Sequence, residues 1–256
     1  MKTILKLLLV FSAFTSCIPM QKVPKDAKME DFFHFQKAEN YDAEKWAVFL
    51  PGTGGLRVFN DTLHYYDVAT KLNAEGISVL LVDNEAAYKA SERDVAENES
   101  EEILWTLGEA LKWAKHNGSI DPNSSGSIVG WSRAGLGIIP LANDEVKLKK
   151  LNTKSIAMYY PVNIYEVQLE PKVPVLVLTG AKDKIAKVED IFESMVSENT
   201  TIKVYADAYH GFDGENLKKP KYYRYIPFIG KKQYLLKYDQ EATDDAMEQL
   251  IKFLKE

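Results

Sequence analysis

Short, continuous apolar runs alternate along this chain with longer stretches of helical periodicity. Residues 46–50 (Trp-Ala-Val-Phe-Leu), 77–83, 127–129, 155–160 and 173–178 are too short for helices and almost free of polar breaks. Such runs predict strands buried on both faces. Residues 32–36 and 201–205 predict two further strands. Between them, residues 65–74 have helical spacing and stop at Gly76. A long helix is expected over about residues 95–117. Its Ile103, Leu104, Leu107, Leu111, Trp113 and Ala114 form one stripe, and Gly118 closes it as a C-terminal cap. Residues 188–196 and an amphipathic segment at about 241–254 complete the helices. Strands of this kind alternating with helices mean a mainly parallel sheet covered on both sides, an α/β fold in three layers. No internal repeat or second core is visible, so residues 31–256 read as one domain.

The chain begins differently. A short basic start with Lys2 and Lys6 precedes an apolar run, Leu7-Leu8-Leu9-Val10-Phe11-Ser12-Ala13-Phe14, too short for a stable membrane span. Thr15-Ser16-Cys17 follows, the only cysteine in the chain. This layout over residues 1–17 resembles a bacterial lipoprotein signal, cleaved before Cys17 and lipidated on its sulfur. Phe14 stands where such signals usually carry Leu. Residues 18–30, mostly polar with Pro19 and Pro24, read as a tether. The expectation is an enzyme of the bacterial cell envelope, attached to the membrane by its lipid anchor only, or secreted if not lipidated.

Composition removes several function classes. A length of 256 residues with 46% hydrophobic and 27% charged residues suits a soluble domain with a full core. A formal net charge of -5 gives no global footprint for nucleic acid. One cysteine excludes an internal disulfide and a thiolate metal site. No metal or cofactor is expected.

The chemistry concentrates at Gly130-Trp131-Ser132-Arg133-Ala134-Gly135, between a core strand and an apolar helix beginning at Leu136. It fits Gly-x-Ser-x-Gly with Ala134 in the last small position. A serine on a sharp strand-to-helix turn is a nucleophile elbow: small neighbours allow close backbone approach, and the hydroxyl stands exposed. A serine hydroxyl is a weak nucleophile and needs a base held by an acid. In parallel sheets such groups gather beyond the C-terminal strand ends. Asp183 follows the strand at 173–178, and His210 follows the strand at 201–205. Ser132, Asp183 and His210 thus stand in the chain order of the α/β-hydrolases. His34, His64 and His116 follow no late strand, while Asp207 and Asp213 are alternative acids. For the oxyanion, backbone N–H groups should come from Arg133 and from the loop Pro51-Gly52-Thr53-Gly54-Gly55, with Thr53 preferred and Gly54 second. This loop lacks the spacing of a phosphate-binding loop. The side chain of Arg133 is also a candidate for a substrate carboxylate.

From Trp46 to the C-terminus the chain resembles the dienelactone hydrolase family of α/β-hydrolases. The resemblance rests on the elbow, on Val173-Pro174-Val175-Leu176-Val177-Leu178-Thr179-Gly180-Ala181-Lys182-Asp183, on His210-Gly211-Phe212, and on the closing helix with Ala246 and Phe253. It implies a three-layer αβα fold, no cofactor, and ester hydrolysis through an acyl-enzyme. Dienelactonases proper look to a cysteine in the elbow and a carboxylate in the loop after the first core strand. This chain has Ser132 and no carboxylate between Pro51 and Gly55, which points to a serine carboxylester hydrolase of unnamed substrate, small or polymer-linked.

Residues 218–238 form an insert with seven Lys and Arg and no acid, interleaved with Tyr222, Tyr223, Tyr225, Phe228, Tyr234 and Tyr238. It reads either as a substrate rim or as a solvated basic loop packed on the fold's edge. Trp131 is expected under the elbow, with Tyr159 and Tyr160 near the pocket mouth. Two other functions share these features. One is a peptidase of the prolyl-oligopeptidase type, for which no gating domain precedes the core. The other is a non-catalytic surface protein that holds polysaccharide, which an intact Ser–Asp–His set disfavours.

Overall fold

The computed structural model describes residues 23–256 except 92, 94–95 and 226–231. The signal, Cys17 and the start of the tether lie outside the described residues. Part of the expected tether is laid against the domain, where Val23, Ala27 and Met29 pack on the core.

The central sheet has seven strands: β1 Phe33–Gln36, β2 Trp46–Leu50, β3 Ser78–Val82, β4 Gly126–Trp131, β5 Thr153–Tyr159, β6 Val175–Gly180 and β7 Thr200–Tyr205. Their order is β1-β3-β2-β4-β5-β6-β7. β1 is antiparallel to β3, and all other neighbours are parallel. β2, β3, β4 and β6 are buried at every position. That is why their sequences are continuous apolar runs: helices cover both faces. β7, at the edge, carries Thr and Lys and is only partly buried.

The helices are α1 His64–Ala74, α2 Asn84–Ala90, α3 Glu99–His116, α4 Gly135–Ala142, α5 Glu145–Leu151, α6 Val188–Met195 and α7 Gln240–Lys255. α2, α3 and α4 pack on one another, while the Lys255 and Glu75 side chains join the ends of α7 and α1. The result is the three-layer α/β architecture expected from the sequence.

Besides the short helix α5, local reading missed two features. Residues 84–90 form α2, started by Asp83, whose side chain accepts from the Ala86 N–H. Seven residues are too few to show a helical period. α3 also begins at Glu99, where Asn98 caps it by accepting from the Glu101 N–H, later than its periodicity suggested. The second miss is an antiparallel hairpin inside the basic insert, β8 Lys221–Tyr225 with β9 Lys232–Leu236.

Candidate active site

β4 delivers Ser132 at its C-terminal end, and the backbone there turns sharply into α4. Ser132 has φ 48, a left-handed value that costs a non-glycine residue on the order of 1–3 kcal/mol. Packing maintains it. Gly130 has no Cβ because the side chains of Ile138 and Ala134 occupy that space, the latter 3.1 Å from where a Cβ would stand. The Val162 N–H donates to the Ser132 carbonyl at 2.9 Å, tying the elbow to the segment after β5.

Ser132 Oγ lies 2.8 Å from His210 Nε2, and His210 Nδ1 lies 2.7 Å from Asp183 Oδ2. An ionised carboxylate can only accept, so Nδ1 carries the proton toward Asp183 and Nε2 is left to accept from the serine hydroxyl. Asp183 is 1% exposed, and its other oxygen accepts from the Ile185 and Ala186 N–H groups at 2.7 and 2.9 Å. Those bonds fix the carboxylate's orientation. The structure therefore brings Ser132, His210 and Asp183 together in one hydrogen-bonded line. The two alternative acids lie elsewhere: Asp207 pairs with Lys182 at the surface, and Asp213 is buried without contact to the His210 ring nitrogens.

The loop after β2 approaches the elbow closely. A Cβ on Gly52 would stand 3.1 Å from Ser132 Cβ, so any side chain there would crowd the elbow. The Gly52 N–H donates to Tyr65 Oη at 3.2 Å, and the Leu56 N–H donates to Asp83 at 3.2 Å, pinning both ends of the loop. Burial pushes the Asp83 carboxyl up, while its bonds from Ala86 and Leu56 favour the ionised form. Thr53 and Arg133 line the same cavity as Ser132, whereas Gly54 does not reach it.

That cavity holds about 220 Å³. Tyr160, Val162, Ile164, Ile185, Val58 and Phe59 form most of its wall, with Tyr234 and Leu236 from the hairpin. Phe59 and Tyr160, with φ 49 and 37, share the left-handed backbone of Ser132. Strain of this kind gathers where surrounding structure holds a site in place.

Arg133 turns its guanidinium away from this role. Nη1 and Nη2 both donate to Glu102 Oε1 at 3.1 Å, and Asn84 donates to the same oxygen at 3.2 Å. Burial raises the Glu102 carboxyl, with Arg133 opposing the shift.

Trp131 is buried beneath the elbow, stacked on Tyr159 at 5.0 Å and edge-on to Phe49 and Tyr65. Its indole N–H donates to Asp213 at 2.8 Å, and the Tyr160 hydroxyl donates to the other Asp213 oxygen at 2.6 Å. His64 Nε2 lies 3.3 Å from Asp213. Burial alone would push the Asp213 carboxyl up, but His64, Tyr160 and Trp131 bring it below the ordinary range. Burial opposes the charge on His64, yet Asp213 beside it, with Asp61 and Asp67 nearby, holds its imidazole above the ordinary value. Asp213 thus joins the His210 loop to the elbow, to the end of β5 and to the start of α1. Its residue type and place after His210 suggested an acid; only the fold shows it as this junction. Among the described residues, no group of three or more His, Cys, Asp or Glu is placed to hold a metal ion.

Solved structures with this fold include an alpha-beta serine hydrolase homologue from Coxiella burnetii, 14% identical, covering 93% of this chain and 100% of that one with TM-score 0.59. A monoacylglycerol lipase from Paleococcus ferrophilus is 14% identical, covering 87% and 97% with TM-score 0.56. A dienelactone hydrolase from Anabaena variabilis is 16% identical, covering 72% and 83% with TM-score 0.54. At these identities the likeness is one of fold. No curated protein sequence matches the chain. A family model described as the dienelactone hydrolase family matches residues 66–256, from the first helix through the elbow, Asp183 and His210 to the last helix. The chain is a hydrolase that belongs to the dienelactone hydrolase family.

Proposed function

We propose that the protein is a serine carboxylester hydrolase acting through an acyl-enzyme. The observation that carries this reading is the unbroken line from Ser132 Oγ to His210 to Asp183, 2.8 and 2.7 Å, opening on an apolar cavity. Ser132 Oγ attacks the ester carbonyl carbon while His210 Nε2 takes its proton. Asp183 holds the imidazole in the required tautomer and stabilises the imidazolium. The carbonyl oxygen becomes an oxyanion, received by the Arg133 N–H at the start of the elbow helix and by the Thr53 N–H in the loop after β2. His210 then protonates the departing alkoxide, leaving the acyl group on Ser132. Water repeats the sequence, giving its proton to His210 and releasing the carboxylic acid and Ser132.

A fluorophosphonate probe and a panel of p-nitrophenyl esters test this. The wild type should be labelled and should turn over at least one ester, while Ser132→Ala should do neither. Labelling that survives the substitution would place the nucleophile elsewhere. The lipid anchor is part of the same proposal. Cys17 should carry enough acyl chain for stable attachment, which takes more than one chain. Mass spectrometry of the mature N-terminus decides it, and an unmodified Cys17 would remove the anchor while leaving the chemistry untouched.

A further inference from the structure

We infer that the site takes uncharged esters with a short apolar acyl group, and that the hairpin insert is the wall that sets this preference. The inference rests on the hydrolase reading above and specifies its substrate.

Charge decides the first half. Among the described residues lining the cavity, Arg133 and His210 are the only ones with a basic side chain, and none is a carboxylate. His210 is bonded on both ring nitrogens, and the Arg133 guanidinium is only 10% exposed and satisfied by Glu102. A substrate carboxylate in the cavity would lose its water and gain no free cationic partner among the described lining residues, which costs far more than burying a methyl group. Apart from Gly52, Thr53 and Ser132 at the site itself, the rest of the described wall is aliphatic or aromatic. At about 220 Å³ the cavity falls below the roughly 300–1,000 Å³ of drug-sized ligand sites, which suits a small acyl group.

Connectivity decides the second half. The insert is stitched to both sides of the cavity. Leu236 at the end of β9 forms a parallel bridge with His210. The Asn216 side-chain amide donates to the Phe59 carbonyl at 2.8 Å and to that of Val58 at 3.3 Å. Lys221 Nζ donates to the same Phe59 carbonyl at 3.2 Å. Asn216, just before the insert, and Lys221 on the hairpin thus hold Val58 and Phe59 in the wall, to which the hairpin adds Tyr234 and Leu236. Tyr234 is only partly buried, so truncating it opens the cavity without hollowing the core. Ile164 lines the mouth yet is 41% exposed, so a charged side chain is tolerated there.

The test is a kcat/KM series on p-nitrophenyl acetate, butanoate, hexanoate, decanoate and hemisuccinate, with fluorophosphonate labelling in parallel. The wild type should peak at butanoate or hexanoate, about tenfold above decanoate and about 100-fold above hemisuccinate. Tyr234→Ala should move the peak toward decanoate, raising the decanoate-to-butanoate ratio about tenfold. Ile164→Lys should raise the hemisuccinate-to-butanoate ratio about tenfold. Labelling with equal turnover of hemisuccinate and butanoate would overturn the charge argument. A chain-length profile unchanged in Tyr234→Ala would overturn the role of the hairpin. In both cases the serine hydrolase would stand. Absence of labelling and of all turnover would instead sink the hydrolase reading and this inference with it.

Discussion

His210 with Asp183 and His64 with Asp213 are two buried histidine–aspartate pairs, and both lie close to the elbow. All four side chains are at most 6% exposed. Their surroundings differ. In the first pair one carboxylate oxygen is held by two backbone N–H groups, the other takes the imidazole, and the far ring nitrogen reaches Ser132 at the cavity wall. In the second, Trp131 and Tyr160 take up the carboxylate, and the pair lines a smaller hollow with Asp61 and Asp67, apart from the Ser132 cavity. A histidine–aspartate pair is thus no more than a means of placing charge. In the proposed mechanism it serves as acid–base machinery where its far nitrogen meets a serine hydroxyl at a cavity, and as a strut where its partners are structural.

The comparison can be broken in four ways. Ser132→Ala should have the largest effect, lowering kcat by on the order of 10⁵ with little change in Tm; a residual rate within tenfold of wild type would mean that the first pair serves no nucleophile. Asp183→Asn comes next. The amide oxygen can still accept from the Ile185 and Ala186 N–H groups, but the amide NH₂ then faces Nδ1 and favours the wrong tautomer, so kcat should fall on the order of 10⁴ with the fold retained. Steady-state kinetics beside circular dichroism checks this, and unchanged turnover would dissolve the distinction between the pairs.

Asp213→Asn should reverse the pattern. Breaking a buried pair costs about 3–5 kcal/mol, so Tm should drop by roughly 10 °C. kcat should fall only about tenfold, through looser placement of Tyr160 and the His210 loop. A kcat loss as deep as that of Asp183→Asn, without a fall in Tm, would make Asp213 a member of the chemistry.

The smallest effect is a pH dependence of stability. His64 is held above its ordinary 6.5, so its contribution is full below pH 6.5 and is lost as pH rises through the higher folded-state value. Asp213 is held below its ordinary 3.8, so its contribution is full above that pH and is lost only as pH falls through the lower folded-state value. Melting curves of the wild type and His64→Gln should therefore differ most at about pH 5–6 and converge as pH climbs. A gap that widens above pH 7 would show that His64 is buried neutral.

Much of this was open to reading along the chain. The core strands announce themselves because burial on both faces forces uninterrupted apolar runs, and β2 begins and ends at the residues its pattern indicates, Trp46–Leu50. Ser132 and Asp183 stand out because each follows such a run, and His210 because it follows the last predicted strand of the sheet. Between Asp183, Asp207 and Asp213 the order along the chain favours one but cannot measure any. All are acids on loops near the last strands, and what separates them is whose hydrogen each oxygen meets. The side chain of Arg133 shows the same limit, since Glu102, 31 residues earlier, reaches it only through the packing of α3 against α4.

Periodicity and residue type, which act over a few neighbours, were therefore enough for the α/β class, the elbow and the order of its partners. The second buried pair, the neutralised arginine and the hairpin wall were settled by contacts between distant segments. Asn216 meets Phe59 across 157 positions, and Trp131 meets Asp213 across 82. A hydrogen bond constrains two atoms in space and leaves no period along the chain, so such pairings become visible only when the sheet has set its strand ends side by side.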